Sequence, residues 1–309
     1  VRHAAHFTRH CNKHQPRAGP HGATVVLIPT ASTAPGTTAP PTERATRQAE
    51  VVQALLQHLP AHALLWHTED TTPYECDGLT AYRQRPLVVA LPETEAQVQA
   101  VLRACHRLGV PVVARGAGTG LSGGALPHAL GVTLSLAKFN QILSLDPVSR
   151  TARVQCGVRN LAISEAAAPY GLYYAPDPSS QIACTIGGNI AENSGGVHCL
   201  KYGLTVHNVL RVRGFTAEGE EVTFGSEALD APGYDLLAAV IGSEGMLAVA
   251  LEVTVKLVPK PQLARCIMAS FDDVRKAGDA VAAVIAAGII PAGLEMMDKP
   301  MTAAVEDFV

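Results

Sequence analysis

A glycine-rich segment that directly follows a predicted strand constrains this chain more than any other feature. Residues 115–124 have the sequence R-G-A-G-T-G-L-S-G-G, with five glycines among ten residues. Glycine takes positive φ at little cost, so successive backbone N–H groups can turn toward one point and bind a pyrophosphate. A mobile loop is the alternative. The segment predicts an anion-binding loop to which Arg115 adds positive charge.

The same loop contains G-x-G-x-x-G at residues 118–123, the pattern of nicotinamide dinucleotide sites. That pattern indicates such a site only where a helix follows, because the helix N-terminus holds the phosphates. Here Pro127 and a predicted strand follow the glycines. The well-signalled helix, with the capping pair Thr94 and Gln97, precedes them. The sequence therefore argues against a nicotinamide-binding Rossmann domain.

Two further loops are rich in glycine and small polar residues. The second covers residues 176–180 (P-D-P-S-S) and 185–196 (T-I-G-G-N-I-A-E-N-S-G-G), and the third is G-S-E-G-M at 242–246. Each lies beside a predicted strand, and each alone is compatible with an ordinary tight turn. Three such loops in one chain favour a single extended ligand that contacts all of them.

The rest of the chain mixes predicted helices and strands. Helical spacing of apolar residues predicts helices at 95–108, 160–170 and 272–287. Residues 210–224 have the pattern of a hairpin, and residues 247–257 alternate apolar and polar side chains. The predicted fold class is α+β.

Composition excludes several functions. The net charge is −3 and the 24 Lys and Arg residues are scattered, which gives no positive surface for nucleic acid. The longest uncharged stretch, residues 280–294, is shorter than the roughly twenty apolar residues that span a bilayer. Seven cysteines without a C-x-x-C pair argue against an iron–sulfur cluster in the chain and favour reduced thiols in the cytoplasm.

The N-terminal segment differs from the remainder. It carries five of the twelve histidines and a Thr/Pro/Ala run at residues 29–42. The histidines are irregularly spaced and no acidic residue joins them, so neither a metal site nor a signal peptide is predicted. We expect residues 1–45 to be disordered or to derive from a misassigned start.

The three loops resemble the PCMH-type FAD-binding domain of the vanillyl-alcohol-oxidase superfamily. Within it, they are most similar to the family of FAD-linked subunits of bacterial glycolate oxidase. The first loop, the long second segment through residue 205 and G-S-E-G-M-L carry the likeness. P-Y-E-C-D-G-L at 73–79 and L-E-M-M-D at 294–298 fit the same family. The resemblance runs from about residue 59 to the end.

The resemblance implies a domain arrangement. Residues 46–85 would be a helical and loop lead-in, and 86–261 a PCMH-type FAD-binding domain of two α+β subdomains with FAD extended between them. Residues 262–309 would be the beginning of a truncated α+β cap domain. Some relatives attach FAD through a histidine of the first loop; this loop has none, so we expect noncovalent FAD.

The resemblance also implies cofactor contacts, in which the first loop wraps the pyrophosphate. Two departures are Ala114, where relatives have proline, and Ala248, where relatives have a glycine and a methyl group would crowd the flavin edge. The expected cofactor-binding residues are Arg115, Gly116, Ala117, Gly118, Thr119, Gly120, Leu121, Ser122, Pro176, Asp177, Ser179, Thr185, Gly187, Gly188, Ala191, Asn193, Gly196, Glu244, Gly245 and Val249.

The implied reaction is hydride transfer from C2 of a 2-hydroxy acid to flavin, while a base takes the hydroxyl proton and an arginine holds the carboxylate. Relatives carry these groups, and often a metal site, in a His-rich motif of the cap domain. No histidine follows His207, so we expect them beyond residue 309 and assign no catalytic residue and no metal ligand. His198 and His207 are more in keeping with structural or exposed histidines.

The family likeness favours oxidation of glycolate to glyoxylate by the flavin subunit of a multi-subunit enzyme. A D-lactate or D-2-hydroxyglutarate dehydrogenase and a catalytically silent FAD-binding module stay open as alternatives. The implied partners are an iron–sulfur subunit and a second subunit with a FAD-type domain. The expected location is the cytoplasm, at the periphery of the inner membrane through these partners.

Overall fold

Two larger β-sheets, each packed against helices, and one two-stranded sheet organise the chain in the computed structural model, which describes residues 41–226 and 233–308, with side chains from residue 43 onward. The helices are α1 (Pro41–Leu55), α2 (Thr68–Thr71), α3 (Glu95–Leu108), α4 (Asn160–Ala167), α5 (Ile186–Glu192), α6 (Cys199–Tyr202), α7 (Thr205–Asn208), α8 (Leu236–Val240), α9 (Val274–Ala286) and α10 (Lys299–Phe308). The strands are β1 (Leu64–Leu65), β2 (Val88–Ala90), β3 (Val112–Arg115), β4 (Val132–Ser135), β5 (Ile142–Asp146), β6 (Thr151–Gln155), β7 (Leu172–Tyr173), β8 (Val209–Phe215), β9 (Glu221–Gly225), β10 (Val249–Lys256) and β11 (Val258–Pro259). This architecture confirms the predicted α+β class.

The first sheet has the strand order β1-β2-β4-β3. β4 is parallel to both neighbours, with Val132 paired to Val88 and to Val112, and β1 is antiparallel to β2. Every residue of β2 and β4 is buried, including the polar Thr133 and Ser135, so both faces of these strands are covered. Val51 and Leu55 of α1 belong to the same core, so α1 folds with this sheet.

Helix α3 covers the first sheet and has the predicted capping box. Thr94 accepts a hydrogen bond from the backbone N–H of Gln97, and the Gln97 side chain accepts one from the backbone of Thr94. The face with Val98 and Val101 is buried, and the helix ends at Gly109. β3 follows, so the helix delivers the chain to the strand that leads into the first glycine loop.

The second sheet is antiparallel, with the order β5-β6-β10-β8-β9. The predicted hairpin is β8 and β9, and the predicted alternating strand is β10 at the centre of the sheet. Val253 and Val255 pack in the core of this sheet, whereas Val249 and Leu251, at the start of β10, pack in the core of the first. The two cores therefore meet at the beginning of β10.

The second glycine-containing loop is partly helical, which corrects the prediction of a loop throughout residues 185–196. α5 occupies Ile186–Glu192, with Thr185 as its N-cap. Ile186 and Ile190 are buried against the second sheet. The helix was missed because two consecutive glycines weaken the local helix signal, and burial of the two isoleucines decides the conformation.

Residues 262–308 lie apart from both cores. α9 lies within the predicted helix 272–287, and no side chain of α9 or α10 is buried. The five N-terminal histidines and most of the segment expected to be disordered lie outside the described residues, although α1 begins at Pro41. In the described part of the chain, no helix combines the length and apolar character required to cross a membrane.

Candidate functional site

A cleft of about 320 Å³ lies where the end of β3, the N-terminal end of α5 and the start of β10 meet. Its volume is in the range of small-molecule sites. All three glycine-containing segments contribute to it. The lining residues are Asp77, Ala114, Arg115, Gly116, Ala117, Gly118, Thr119, Gly120, Leu121, Gly124, Ala125, Leu136, Cys156, Ser179, Ser180, Cys184, Thr185, Gly187, Gly188, Asn189, Ile190, Ala191, Glu192, Ser194, Val240, Ser243, Glu244, Gly245, Ala248, Val249 and Ala250.

The first loop presents free backbone donors. Gly118 has φ of 70°, a conformation that favours glycine. At Gly116 an added Cβ would overlap the Thr185 hydroxyl, so glycine allows the loop to approach α5 closely. Within residues 41–226 and 233–308, no backbone N–H of residues 117–121 donates a hydrogen bond to another protein group. The loop can therefore supply several N–H donors to an anion.

Arg115 fixes the base of this loop. Its guanidinium donates a hydrogen bond of 2.8 Å to the carbonyl of Cys76 and lies 5.6 Å from the centre of the Tyr74 ring. Burial lowers the pKa of Arg115, and the nearby Asp77 carboxylate opposes that change. Arg115 thus joins the loop to the segment before β2 while contributing positive charge to the lining.

Carboxylates lie at one side of the same loop. Ser122 donates a hydrogen bond of 2.6 Å to Glu192. An added Cβ at Gly124 would lie 2.8 Å from Glu192 Oε1 and 3.2 Å from Glu244 Oε2, which places both acidic side chains over this glycine. Hydroxyl and N–H groups of a ligand suit this side, whereas phosphate oxygens suit the free N–H groups of residues 117–121.

Two buried oxygens that belong to lining residues have no hydrogen-bond partner in the described part of the chain. They are Asp77 Oδ2 and Ser243 Oγ. Buried polar atoms are nearly always hydrogen-bonded in native proteins, so unsatisfied ones beside a cleft point to a ligand or water that completes them. The cleft therefore combines unused donors and unused acceptors.

The structure brings most of the predicted cofactor residues into this lining, and their contact with a cofactor stays a prediction. The predicted residues that line the cleft are Arg115, Gly116, Ala117, Gly118, Thr119, Gly120, Leu121, Ser179, Thr185, Gly187, Gly188, Ala191, Glu244, Gly245 and Val249. The predicted residues outside the lining are Ser122, Pro176, Asp177, Asn193 and Gly196.

Other contacts engage the predicted residues that lie outside the lining. The carbonyl of Pro176 accepts a hydrogen bond from Asn160, and Asn193 accepts one from the backbone of Val206. Asp177 Oδ2 lies 2.6 Å from Nδ1 of His198. These contacts hold the chain around α5 in place.

Sequence reasoning missed several lining residues. Asp77 lies in the segment P-Y-E-C-D-G-L, which fits the family, but nothing in the sequence indicated that this residue belongs at the cofactor site. Ser243 stands inside the third loop, and Cys156 follows β6. Burial raises the pKa of Cys156 to about 12, so this thiol lines the cleft in its neutral form. Ala248, the departure noted in the sequence, is buried and lines the cleft.

Metal ligands are not grouped in the described part of the molecule. Across residues 41–226 and 233–308, no three His, Cys, Asp or Glu side chains are placed to hold a metal ion. The histidines near the second segment also lie away from the cleft: His198 pairs with Asp177, and the ring of His207 accepts a hydrogen bond from the backbone of Leu204.

Comparison with protein families identifies the type of domain. Residues 86–225 match the FAD binding domain, and residues 260–309 match the C-terminal domain of FAD linked oxidases. Among solved structures, an alkyldihydroxyacetonephosphate synthase has a similar fold, with a TM-score of 0.67 and 21% identity over 79% of this chain and 47% of that one.

Curated relatives are similar at the level of sequence. The glycolate oxidase subunit GlcD of Escherichia coli strain K12 is 64% identical over 84% of this chain and 52% of its own length. GlcD of Bacillus subtilis strain 168 is 42% identical over 76% of this chain and 50% of its own. A D-lactate dehydrogenase of Anaerostipes hadrus is 34% identical over 75% of this chain and 49% of its own length. The chain thus spans about half the length of the curated relatives it matches.

Proposed function

Because this chain belongs to the family of FAD-linked oxidoreductases, we propose that it is the flavin-binding part of an enzyme that oxidises glycolate to glyoxylate. The observation that carries this proposal is the convergence of three glycine-containing segments on one cleft that has unused donors and acceptors. The identity with GlcD supports glycolate as the substrate.

The residues present fit FAD. FAD has a diphosphate that accepts hydrogen bonds and sugar hydroxyls that donate them, and the cleft offers counterparts to both. The backbone N–H groups of residues 117–121 would hold the diphosphate, with Arg115 adding positive charge. Ser243 and the carboxylates of Glu192 and Glu244 would accept hydrogen bonds from the hydroxyl groups of FAD.

The protein's contribution to the reaction is binding and orientation. FAD, when bound, supplies the two-electron acceptor for a hydride from the substrate carbon. Three buried apolar side chains, Leu136, Val240 and Val249, line the cleft and would leave little room for water beside a bound cofactor. No histidine or lysine is among the described residues that line it, and we assign no catalytic base among them.

We propose that the cofactor is held without a covalent bond. The cleft lining contains no histidine among the described residues, and its cysteines, Cys156 and Cys184, are both buried. The neutral thiol of Cys156 is a poor nucleophile. Acid denaturation should therefore release FAD into the supernatant; flavin that stays with the precipitate would contradict this proposal.

D-Lactate is the second candidate substrate, because a relative at 34% identity is a D-lactate dehydrogenase. D-2-hydroxyglutarate and a catalytically silent FAD-binding module are the remaining alternatives. The test uses the flavoprotein purified whole from native cells, together with its partners. It is mixed anaerobically with each hydroxy acid, and turnover with an artificial electron acceptor is then measured. We expect glycolate to bleach the flavin absorbance band faster than the other two hydroxy acids do. Bleaching by D-lactate alone would reassign the substrate, and no bleaching by any of the three would favour the silent module.

We also propose that the electrons leave to partner subunits, an iron–sulfur protein and a second protein with a FAD-type domain. The support is that the relative with 64% identity is named as a subunit, and that the chain has no C-x-x-C pair for a cluster of its own. The proposed location is the cytoplasm, at the inner membrane through these partners. Affinity purification from native cells should recover iron with the flavoprotein.

A further inference from the structure

Asp77 is a buried acid in the short segment between α2 and β2. It is 5% exposed, and its Oδ1 accepts a hydrogen bond of 2.9 Å from the backbone N–H of Leu79. Its Oδ2 is buried and has no partner in the described part of the chain, although the residue lines the cleft. Asp77 lies outside the three glycine-containing segments and outside residues 86–225, which match the FAD binding domain.

The surrounding chain holds Asp77 against the first loop. An added Cβ at the next residue, Gly78, would lie 2.8 Å from the carbonyl oxygen of Gly120 and 3.0 Å from that of Thr119. On the other side, the carbonyl of Cys76 accepts the hydrogen bond from Arg115. Asp77 is thus fixed between two contacts with the loop that is proposed to hold the diphosphate.

Arg115 lies near Asp77, but the hydrogen bonding of the Asp77 carboxyl group is incomplete. Arg115 is close enough to interact electrostatically with the carboxylate, yet the described residues contain no hydrogen bond or ion pair between the two side chains. A buried acceptor without a donor costs free energy, and more so when it is ionised. A ligand group that donates to Oδ2 would remove that cost.

We propose that Asp77 Oδ2 accepts a hydrogen bond from a sugar hydroxyl of FAD. A carboxylate accepts and cannot donate, so it repels the diphosphate and suits a donor beside it. In FAD the groups that flank the diphosphate are hydroxyl-bearing, the ribityl chain on one side and the adenosine ribose on the other. This inference rests on the proposed FAD binding and adds a residue that recognises the sugar part of the cofactor.

The test compares Asp77→Asn and Asp77→Ala with Asp70→Asn, a matched control at an exposed aspartate of α2. FAD is titrated into each flavin-free protein, and its dissociation constant is measured by fluorescence quenching or calorimetry. A hydrogen bond to a charged acceptor is expected to contribute about tenfold to a hundredfold in affinity. Both Asp77 variants should bind FAD more weakly by that factor, and Asp70→Asn should bind it as the parent does.

Two cofactor analogues identify the hydroxyl. One lacks a hydroxyl on the adenosine ribose, and the other lacks hydroxyls on the ribityl chain. The parent should bind one of them more weakly than FAD by the same factor as the substitution, and Asp77→Asn should lose nothing further with that analogue. Asp77→Asn also removes a charge beside Arg115, which changes the unfolding temperature of the flavin-free protein. The comparison of the two analogues, and not that temperature, therefore decides the inference.

Three results would overturn the inference. Asp77 variants that bind FAD as tightly as the parent would show that water completes Oδ2. Variants that weaken the binding of FAD and of both analogues by the same factor would give Asp77 a purely structural role. Failure of the parent itself to bind FAD would overturn the proposed function, and the inference with it.

Discussion

At the scale of single residues, two glycines of the first loop share one backbone conformation but have different surroundings. Gly118 has φ of 70° and Gly123 has φ of 83°. An added Cβ would overlap the Arg115 guanidinium at Gly118, whereas nothing lies within 4 Å of the corresponding position at Gly123. Left-handed backbone costs other residues about 1–2 kcal/mol, so replacement of Gly118 adds a steric cost that replacement of Gly123 avoids.

We therefore expect Gly118→Val to abolish FAD retention through purification and Gly123→Val to reduce it only partly. Displacement of the Arg115 guanidinium would break its hydrogen bond to the Cys76 carbonyl, which fixes the base of the loop, and would so disturb the N–H groups proposed to hold the diphosphate. The flavin content per chain, measured from absorbance after acid release, reports the difference. Equal flavin content in Gly118→Val and in the parent would contradict the placement of the diphosphate at this loop.

At the scale of elements, two helices have threonine N-caps at different distances from the cleft. Thr94 caps α3 and does not line the cleft, whereas Thr185 caps α5, does line it, and accepts a hydrogen bond of 3.3 Å from Gly188. Loss of a threonine cap typically costs about 0.5–2 kcal/mol of unfolding free energy.

Thr94→Ala and Thr185→Ala should destabilise the flavin-free protein by similar amounts, about 1 kcal/mol each in urea unfolding. FAD affinity should decrease only in Thr185→Ala, because the loop at Gly116 rests on this hydroxyl. An equal decrease of affinity in both variants would mean that general destabilisation, and not the α5 cap, controls binding.

The ion pair between α3 and β8 joins the helix of one core to the sheet of the other. Arg213 donates to both Glu95 oxygens, at 2.8 and 2.5 Å, and to Glu252 at 3.3 Å. The hydrogen bonds from Arg213 hold the pKa of Glu95 below its ordinary value of 4.5. A carboxyl whose pKa is lower in the folded state stabilises the protein above its unfolded pKa and loses that contribution as the pH falls.

Glu95→Gln should therefore lower the melting temperature modestly at neutral pH, since Glu95 is partly exposed. The difference from the parent should shrink as the pH falls below about 4.5 and disappear below the lowered pKa of folded Glu95. Glu165→Gln, at an exposed pair with Arg159, is the control and should show little change at any pH. If the melting temperature of Glu95→Gln stays below that of the parent in acid, the packing of the side chain and not its charge causes the loss of stability.

Local signals predicted the elements that are stabilised locally. The capping box of α3 and the alternation in β10 are written in adjacent residues, and both appear in the structure. The sequence did not predict α5, because this helix depends on burial of Ile186 and Ile190 against a sheet that is distant in sequence. It did not predict β5 either, because the side chains of this strand are mostly exposed and give no pattern of buried residues. The same limit applies to the site: the glycine loops are visible in sequence, whereas the approach of Asp77 to the first loop depends on the tertiary fold.

At the scale of the whole molecule, both cores and the cleft are complete before residue 261. The last residue of either core is Leu257, and no described residue after Ala250 lines the cleft. We expect a chain ended after Pro261 to bind FAD with an affinity close to that of the full chain, measured by flavin titration. Loss of binding in the shorter chain would assign residues 262–308 a part in the site that their exposed side chains do not suggest.

The packing of α1 against the first sheet limits where a shortened form of this protein can begin. The match to the FAD binding domain starts at residue 86, but Val51, Leu55, Leu59 and Leu64 belong to the core of the first sheet, which contains β2. A recombinant protein begun at residue 86 would leave an apolar surface open to water, and we expect it to aggregate on expression, whereas one begun at residue 41 should remain dispersed. An ancestral gene fusion or a laboratory shuffle that cut at the recognisable boundary would have divided a single folding unit.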